Sequence, residues 1–331
     1  MTTQTQGNGE SVAAPSMEGV GIHSRAMLVS VSVSAWAARR FDRQVTEEVN
    51  REHAASKDAG RYNKHLFADA APSHKAACNA AGAVRGVYYS QTLPWTDENW
   101  RLLPSANFFA FTEALRAACS HLDTKVGVFA DEYLQLVEDA KAALNGLWRA
   151  EDYPSVYQVR ERFGVVVKYA PVPSAGDFRL DLPADKLAEI EQAVTERVRH
   201  ATDEAMRDAW NRLYAGVQRL YARLSARNEA EASGDENARM PQVRDSLVEN
   251  LRETVDLLAR LNVTEDPALE AMRQRVLDEL TQIDAGTLRK DGAVRTDTAE
   301  KAAAILDAMS AFYGGGAEAA RAEFDASTNQ E

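Results

Sequence analysis

The chain has 331 residues, of which 45% are hydrophobic and 27% charged, ordinary globular usage with enough apolar material for a real core. Its formal charge of −12 is uneven: residues 1–183 carry 19 basic against 21 acidic side chains, and residues 184–331 carry 19 against 29. An acidic rear half repels phosphate backbones within a Debye length of about 8 Å, so general nucleic-acid binding is not expected, and no apolar run approaches the roughly 20 residues of a membrane span.

Residues 1–25 are rich in Gly, Ser, Thr and Gln, with neither a basic start nor an apolar stretch. They read as a disordered polar tail and not as a secretion signal, so a cytoplasmic protein is expected. Cys78 and Cys119 are too few for a disulfide framework and read as core thiols. Leu28 to Ser34 alternates apolar and small polar residues, the period of a half-buried strand. A helix is expected over Ala35 to His53, ending before Gly60, with another short helix beginning after that glycine. Pro72 opens an Ala-rich helix to about Tyr89, at a position where the missing N–H costs nothing. Leu93 to Pro104 holds two prolines and two tryptophans and reads as a loop pinned into the core.

Two helices should follow, about Asn107 to His121 and Lys125 to Arg149, then a short one near Val156 to Arg162. Gly164 to Tyr169 is β-branched, Phe178 to Leu182 alternates, and Pro171 to Asp177 between them is turn chemistry, so a hairpin is expected that shares a sheet with Leu28 to Ser34.

From Pro183 to Glu231 a helical pattern runs with Gly216 as its single internal glycine and no internal proline. Its apolar stripe, from Leu187 and Ile190 to Leu220 and Leu224, has a mean spacing of about 3.7 residues, nearer an eleven-residue repeat than a heptad. A regular left-handed coiled coil is not expected. About 45 residues of straight helix span roughly 68 Å, so the element reads as a strut or arm. Trp210, Tyr214 and Tyr221 widen the apolar arc in its second half, which should pack against more than one neighbour. Helices follow at Pro241 to Leu261 and Pro267 to Ile283, the second with Asp266 as its cap, and a loop at Ala285 to Arg295 leads to a helix at about Thr298 to Tyr313.

The expected fold class is therefore mainly α. An α+β front unit (26–183) with a small three-stranded antiparallel sheet leads into a long helix (184–231). A linker (232–240), an acidic helical unit (241–314) and a polar tail (315–331) follow.

Catalytic signatures are weak. His74 and Cys78 share a helix face but lack a third and fourth ligand in any metal-binding spacing, so no metal is expected. Cys119 and His121 stand two apart and point away from each other on a helix. Gly314-Gly315-Gly316 lacks the Lys-Ser/Thr of a phosphate loop, and no cofactor is expected. The one polar cluster that reads as a binding site is Arg61, Asn63, Lys64 and His65 with Arg101, Asp177 and Arg179, each beside turn residues and large hydrophobes that would hold it still.

A set of motifs resembles a family of uncharacterised proteins from tailed phages and prophages. These are Ser32-Val33-Ser34-Ala35-Trp36 with Arg39-Arg40-Phe41-Asp42, Asp58-Ala59-Gly60-Arg61-Tyr62-Asn63-Lys64, Thr92-Leu93-Pro94-Trp95 with Arg101-Leu102-Leu103-Pro104, and Pro173 to Arg179. The resemblance covers about Leu28 to Leu182 and carries no catalytic residue. It implies a phage context and a MoxR-like AAA+ ATPase as partner, in the host bacterial cytoplasm. The expected role is that of a non-enzymatic interaction protein, an adaptor or scaffold, with homo-oligomerisation through the long helix as a further expectation. The alternatives are a small-ligand binder or enzyme using the Arg61/Arg101/Asp177 region, and a virion structural component.

Overall fold

The computed structural model describes residues 21–67, 71–96, 99–174, 183–233 and 240–313. Among them the protein is mainly α, with ten α-helices around a small antiparallel sheet. None of the described helices is long and apolar enough to cross a membrane.

After a single helical turn, α1 (Ile22–Arg25), strand β1 (Ala26–Ser34) lies inside the sheet. It pairs antiparallel with β5 (Arg101–Pro104) on one side and β6 (Gly164–Pro171) on the other, and β4 (Leu93–Pro94) adds beyond β5. The sheet thus has four described strands where three were expected. The segment read as a pinned loop supplies two of them. Its prolines mark strand ends, where a missing N–H breaks no interior ladder. Phe178 to Leu182, the expected second arm of a hairpin, lies outside the described residues.

Successive side chains of a strand point to opposite faces. Leu28 and Leu102 accordingly enter one hydrophobic core, while Val29 and Leu103 enter another. The second core is closed by α3 (Pro72–Ser90), α4 (Phe108–Leu144) and α5 (Val156–Glu161). The first is closed by α6 (Ala184–Ser233), α7 (Asp245–Leu261), α8 (Pro267–Leu280), α9 (Ala285–Lys290) and α10 (Gly292–Tyr313).

Three further expectations change. Trp36 to Ala38 is irregular and Arg39–Phe41 is a strand, β2, so the helix expected from Ala35 is only α2 (Arg43–Glu52). Asp42 starts it by accepting a hydrogen bond from Val45 N–H at 3.1 Å. The short helix expected after Gly60 is instead β3 (Asn63–His65), paired with β2. Downstream, the two helices expected between Asn107 and Arg149 are one, because Leu122 and Val126 carry the buried stripe across the polar stretch. That helix stops at Asn145, where φ is 45°.

The long helix is continuous through Gly216 and runs 50 residues. Its stripe is buried from Val198 to Leu224, whereas Leu187, Ile190 and Val194 stay half-exposed. From Val198 onward it is a wall of the core and not a free arm, packed on β4, α7, α8 and α10. Arg212 ties it to the front unit by donating to the carbonyls of Ser90 (2.5 Å), Thr92 (2.7 Å) and Tyr89 (3.2 Å) at the end of α3. Arg260 on α7 donates to Asn107 Oδ1 at 2.9 Å, and Arg25 pairs with Glu265 at 3.0 Å.

At Gly216 α7 comes close, since a Cβ there would stand 2.9 Å from Leu251 Cδ1, and Leu251 is itself buried. Alanine in a helix interior is favoured over glycine by about 1 kcal/mol, but overpacking a closed core costs about 1–3 kcal/mol. Gly216→Ala should therefore lower the urea midpoint, and the same substitution in a Leu251→Ala background should raise it. Equal signs in the two backgrounds would refute the close-approach account.

Candidate functional site: an arginine-rimmed cleft above a buried lysine

The ribbon of β2 and β3 sets Arg40 opposite Lys64. Side chains directly across an antiparallel pair share a face, so two cations there would repel without an anion between them. Asp152 supplies it, with Oδ1 3.4 Å from Arg40 Nε and Oδ2 2.8 Å from Lys64 Nζ. Lys64 is 4% exposed. Its ammonium donates to the carbonyl of Leu147 at 2.8 Å and lies 3.3 Å from Asp42 Oδ2. Asp42 Oδ2 and Asp152 Oδ2 gain charge contact from the lysine without a well-aligned hydrogen bond; the directed bond goes to the carbonyl.

The Val45 N–H bond into Asp42, with the close Lys64 ammonium and the nearby Arg149, outweighs burial and holds the Asp42 carboxyl below its ordinary value. Arg149 in turn donates to Gln44 Oε1 at 2.9 Å. One buried ammonium therefore fixes two carboxylates from distant parts of the chain, and Arg40 closes the network at the surface.

Above this floor lies an open cleft of about 370 Å³, lined by Trp36, Arg39, Arg40, Leu66, Glu151 to Ser155, Gln158 and Arg162. Its walls are fixed. The Trp36 ring is buried and meets Phe67 edge-on at 5.6 Å, with Phe129 and Tyr133 at 6.3 and 6.2 Å. Tyr153 donates its hydroxyl to the carbonyl of Leu66 at 2.6 Å, and Tyr133 donates to that of Pro154 at 2.7 Å. Burial pushes both phenols up to about 12, with the Asp152 charge adding to the effect at Tyr153, so both remain protonated donors. Ser155 and Gln158 satisfy each other in a capping box at the start of α5. On the rim, the Arg162 guanidinium lies over Trp36, 5.4 Å from the ring centroid. Arg39 and Arg162 are exposed and form no ion pair among the described residues.

Of the residues expected to form one site, the described ones divide between β3 with its approach and the contact of α3 with α6. Arg61 stacks on Phe41 at 4.8 Å, and Asn63 and His65 flank the buried Lys64 on β3. His65 lines a neighbouring cleft of about 500 Å³ with Phe67, Pro72, His74 and Lys75. Arg101 is elsewhere, over Tyr89 at 5.1 Å and bonded to Thr92 Oγ1 at 2.7 Å, where it serves the contact between α3 and α6. Burial first, then the charge of Arg212, lowers its pKa. Asp177 and Arg179 lie outside the described residues. His74 and Cys78 both turn to the carbonyl of Trp36, the histidine donating through Nε2 at 2.7 Å and the thiol at 3.6 Å. Burial keeps that histidine below its usual value. Among the described residues no group of three or more His, Cys, Asp and Glu is placed to hold a metal.

Sequence reasoning missed Asp42, Asp152, Arg39, Arg40 and Arg162 as site residues. The first, third and fourth stood in the Arg39-Arg40-Phe41-Asp42 motif; Asp152 and Arg162 had no local signal at all. Set against protein-family models, curated proteins and solved structures, the chain matches none.

Replacing Lys64 with Met would leave two carboxylates buried without their cation. Breaking such a network costs about 3–5 kcal/mol, so Lys64→Met should fall by that amount in urea unfolding, and a loss below about 1 kcal/mol would contradict the assignment. Because the folded pKa of Asp42 lies below its unfolded value, its stabilisation is complete above the unfolded value of about 3.9 and is lost as pH falls through the folded one. Asp42→Asn keeps a capping side chain and removes the titration. Stability measured from about pH 7 to about pH 2 should fall less steeply in this variant; an unchanged acid limb would show that Asp42 does not drive it.

Proposed function

We propose that this protein is a non-enzymatic interaction protein, an adaptor or scaffold in the cytoplasm of a phage-infected or prophage-carrying bacterium, which seats a partner protein on the arginine-rimmed cleft. The observation that carries this reading is the pair Arg39 and Arg162, exposed and without a carboxylate partner among the described residues, on a floor that Lys64 locks. Arginine and large aromatics dominate the energetics of protein interfaces, and here both occur together. Tyr157, 71% exposed, stands on the same short helix as Gln158 and extends the surface outward. The phage-family resemblance makes a MoxR-like AAA+ ATPase the partner to test first.

A second reading, a small-ligand binder, draws on the cleft's volume, which falls within the roughly 300–1,000 Å³ of ligand pockets. Its openness and polar walls favour a protein segment instead, because ligand pockets enclose most of a small molecule against apolar side chains.

Purified protein mixed with a MoxR-like AAA+ ATPase should form a complex in size-exclusion chromatography with light scattering. Arg39→Glu with Arg162→Glu should weaken that complex at least about tenfold, or roughly 1.4 kcal/mol. A complex indifferent to both charge reversals, or no complex with this ATPase, would remove the reading.

A further inference from the structure

The turn from Trp36 to Ala38 is shared by two clefts. Trp36, Arg39 and Leu66 line the arginine-rimmed one, while Ala37, Ala38, His65 and His74 line its neighbour of about 500 Å³. Two hydrogen bonds hold the turn: Leu66 N–H donates to the Ala38 carbonyl at 2.8 Å, and His74 Nε2 donates to that of Trp36 at 2.7 Å. The Cys78 thiol, a weak donor, adds a third contact at 3.6 Å. Ala38 sits at φ 49°, unfavourable for a residue with a Cβ, so the turn depends on these contacts. Both rim arginines follow it. Arg39 is the next residue in the chain, and Arg162 lies over the Trp36 ring.

We infer that His74 is a pH-operated latch on the rim: the neutral ring holds the turn that places Arg39 and Arg162, and protonation releases it. The inference rests on the reading of the cleft as a partner site for its consequence, while the latch itself acts within the free chain.

A carbonyl oxygen only accepts, so Nε2 carries the proton and Nδ1 of the neutral ring is bare. The ring is enclosed by Phe129 at 5.2 Å, Phe67 at 5.8 Å and Trp36 at 6.1 Å. A second proton makes a cation in that apolar setting, and among the described residues no carboxylate pairs with it. The titratable and charged groups around it are Lys75 and Cys78 on α3 and His65 on β3, with Arg162 over Trp36 and the Tyr133 phenol of α4 against the same indole. None is an anion at neutral pH, since burial raises both the thiol and the phenol. Burial also keeps the His74 ring below its ordinary 6.5, against the opposing bond to Trp36. The latch is therefore closed above about pH 6.5 and opens as pH falls through the lowered folded value. The imidazolium reaches solvent by turning into the neighbouring cleft, which takes Nε2 from the carbonyl.

Titration of the free chain from about pH 7.5 to about pH 5 tests the latch without a partner. In 15N-labelled protein the Trp36 indole N–H, assigned by its loss in Trp36→Phe, should shift with the midpoint of the His74 ring. Over the same range the hydrogen-exchange protection of Leu66 N–H, which closes the same turn, should fall at least about threefold. His74→Gln keeps an amide donor for the Trp36 carbonyl and removes the charge, so both signals should stay fixed; His65→Gln should behave as the wild type does. A Trp36 shift with Leu66 protection unchanged would mean that the ring titrates in place, and would overturn the inference. Equal responses in the wild type and His74→Gln would do the same.

With a MoxR-like AAA+ ATPase, affinity should fall at least about threefold further across this range for the wild type than for His74→Gln. Identical pH profiles for the two complexes would sink the latch and leave the adaptor reading standing. A latch that opens in the free chain, with no complex at any pH, has the reverse meaning.

Discussion

The architecture depends on one short sheet that is apolar on both faces. Leu28 and Val29 are neighbours in sequence and enter different cores, as do Leu102 and Leu103. Fully burying such a side chain contributes about 1.5–3 kcal/mol, against about 0.3–0.5 kcal/mol for an exposed i,i+4 ion pair of the kind Arg199 and Asp203 make on α6. The two helical layers are therefore joined mainly through these side chains, and the surface ion pairs along the long helix are secondary. β1 also shows where the rear layer ends. Its first residues are apolar without interruption, and beyond Val29 it changes to alternation, with Ser32 and Ser34 exposed and Val31 and Val33 packed on the α3–α4 core.

The long helix adapts to this arrangement along its length. Ala201, Ala205 and Ala209 present small side chains, and Leu213, Leu220 and Leu224 large ones, all on the same buried stripe. Between the two sets, Arg212 reaches the Tyr89 and Ser90 carbonyls in the last turn of α3, which lack partners within their own helix, and that of Thr92 just beyond it. A cation at a helix C-terminus also meets the negative end of its dipole, so this contact is favourable twice over. Arg101 stands close by and is restrained on Tyr89 and Thr92, which explains why a charged residue inside a proline-flanked strand has a structural duty.

The elements with a long periodic signal were legible in the sequence. The stripe from Val198 to Leu224, the alternation of β1, and the Asp266-Pro267 start of α8 all follow from spacing and capping chemistry. Short elements were not. A two-residue strand such as β4 has no period to detect, and it forms because β5 pairs with it. Around Trp36 the local preference of an Ala-rich segment for helix is overridden by a turn in which Ala38 takes φ 49°, a conformation costing roughly 1–2 kcal/mol for a residue with a Cβ. The Leu66 N–H bond to the Ala38 carbonyl at 2.8 Å and the burial of Trp36 offset that cost, and both are long-range. The site was legible in the same partial way. Lys64 was picked out by its setting, but its burial between Asp42 and Asp152 depends on residues 22 before it and 88 after it. Arg162 comes to Trp36 only through the packing of α5, which no local pattern encodes.

A buried lysine between two aspartates is not an efficient way to stabilise a fold, because desolvating three charges offsets most of their attraction and apolar replacements often do as well. What the network provides is register. Sliding β3 by one residue against β2 would turn Lys64 to the outside and bring Asn63 or His65 into the place between the carboxylates. Neither has the charge or the reach to join Asp42, Asp152 and the Leu147 carbonyl at once. The in-register pairing is the one in which Arg40 shares Asp152 with the lysine, and Arg39 stands beside it at the rim of the cleft. The position of the exposed arginines is thus a consequence of the buried charge beneath them, so the floor that contributes little to stability determines the geometry that a partner would meet.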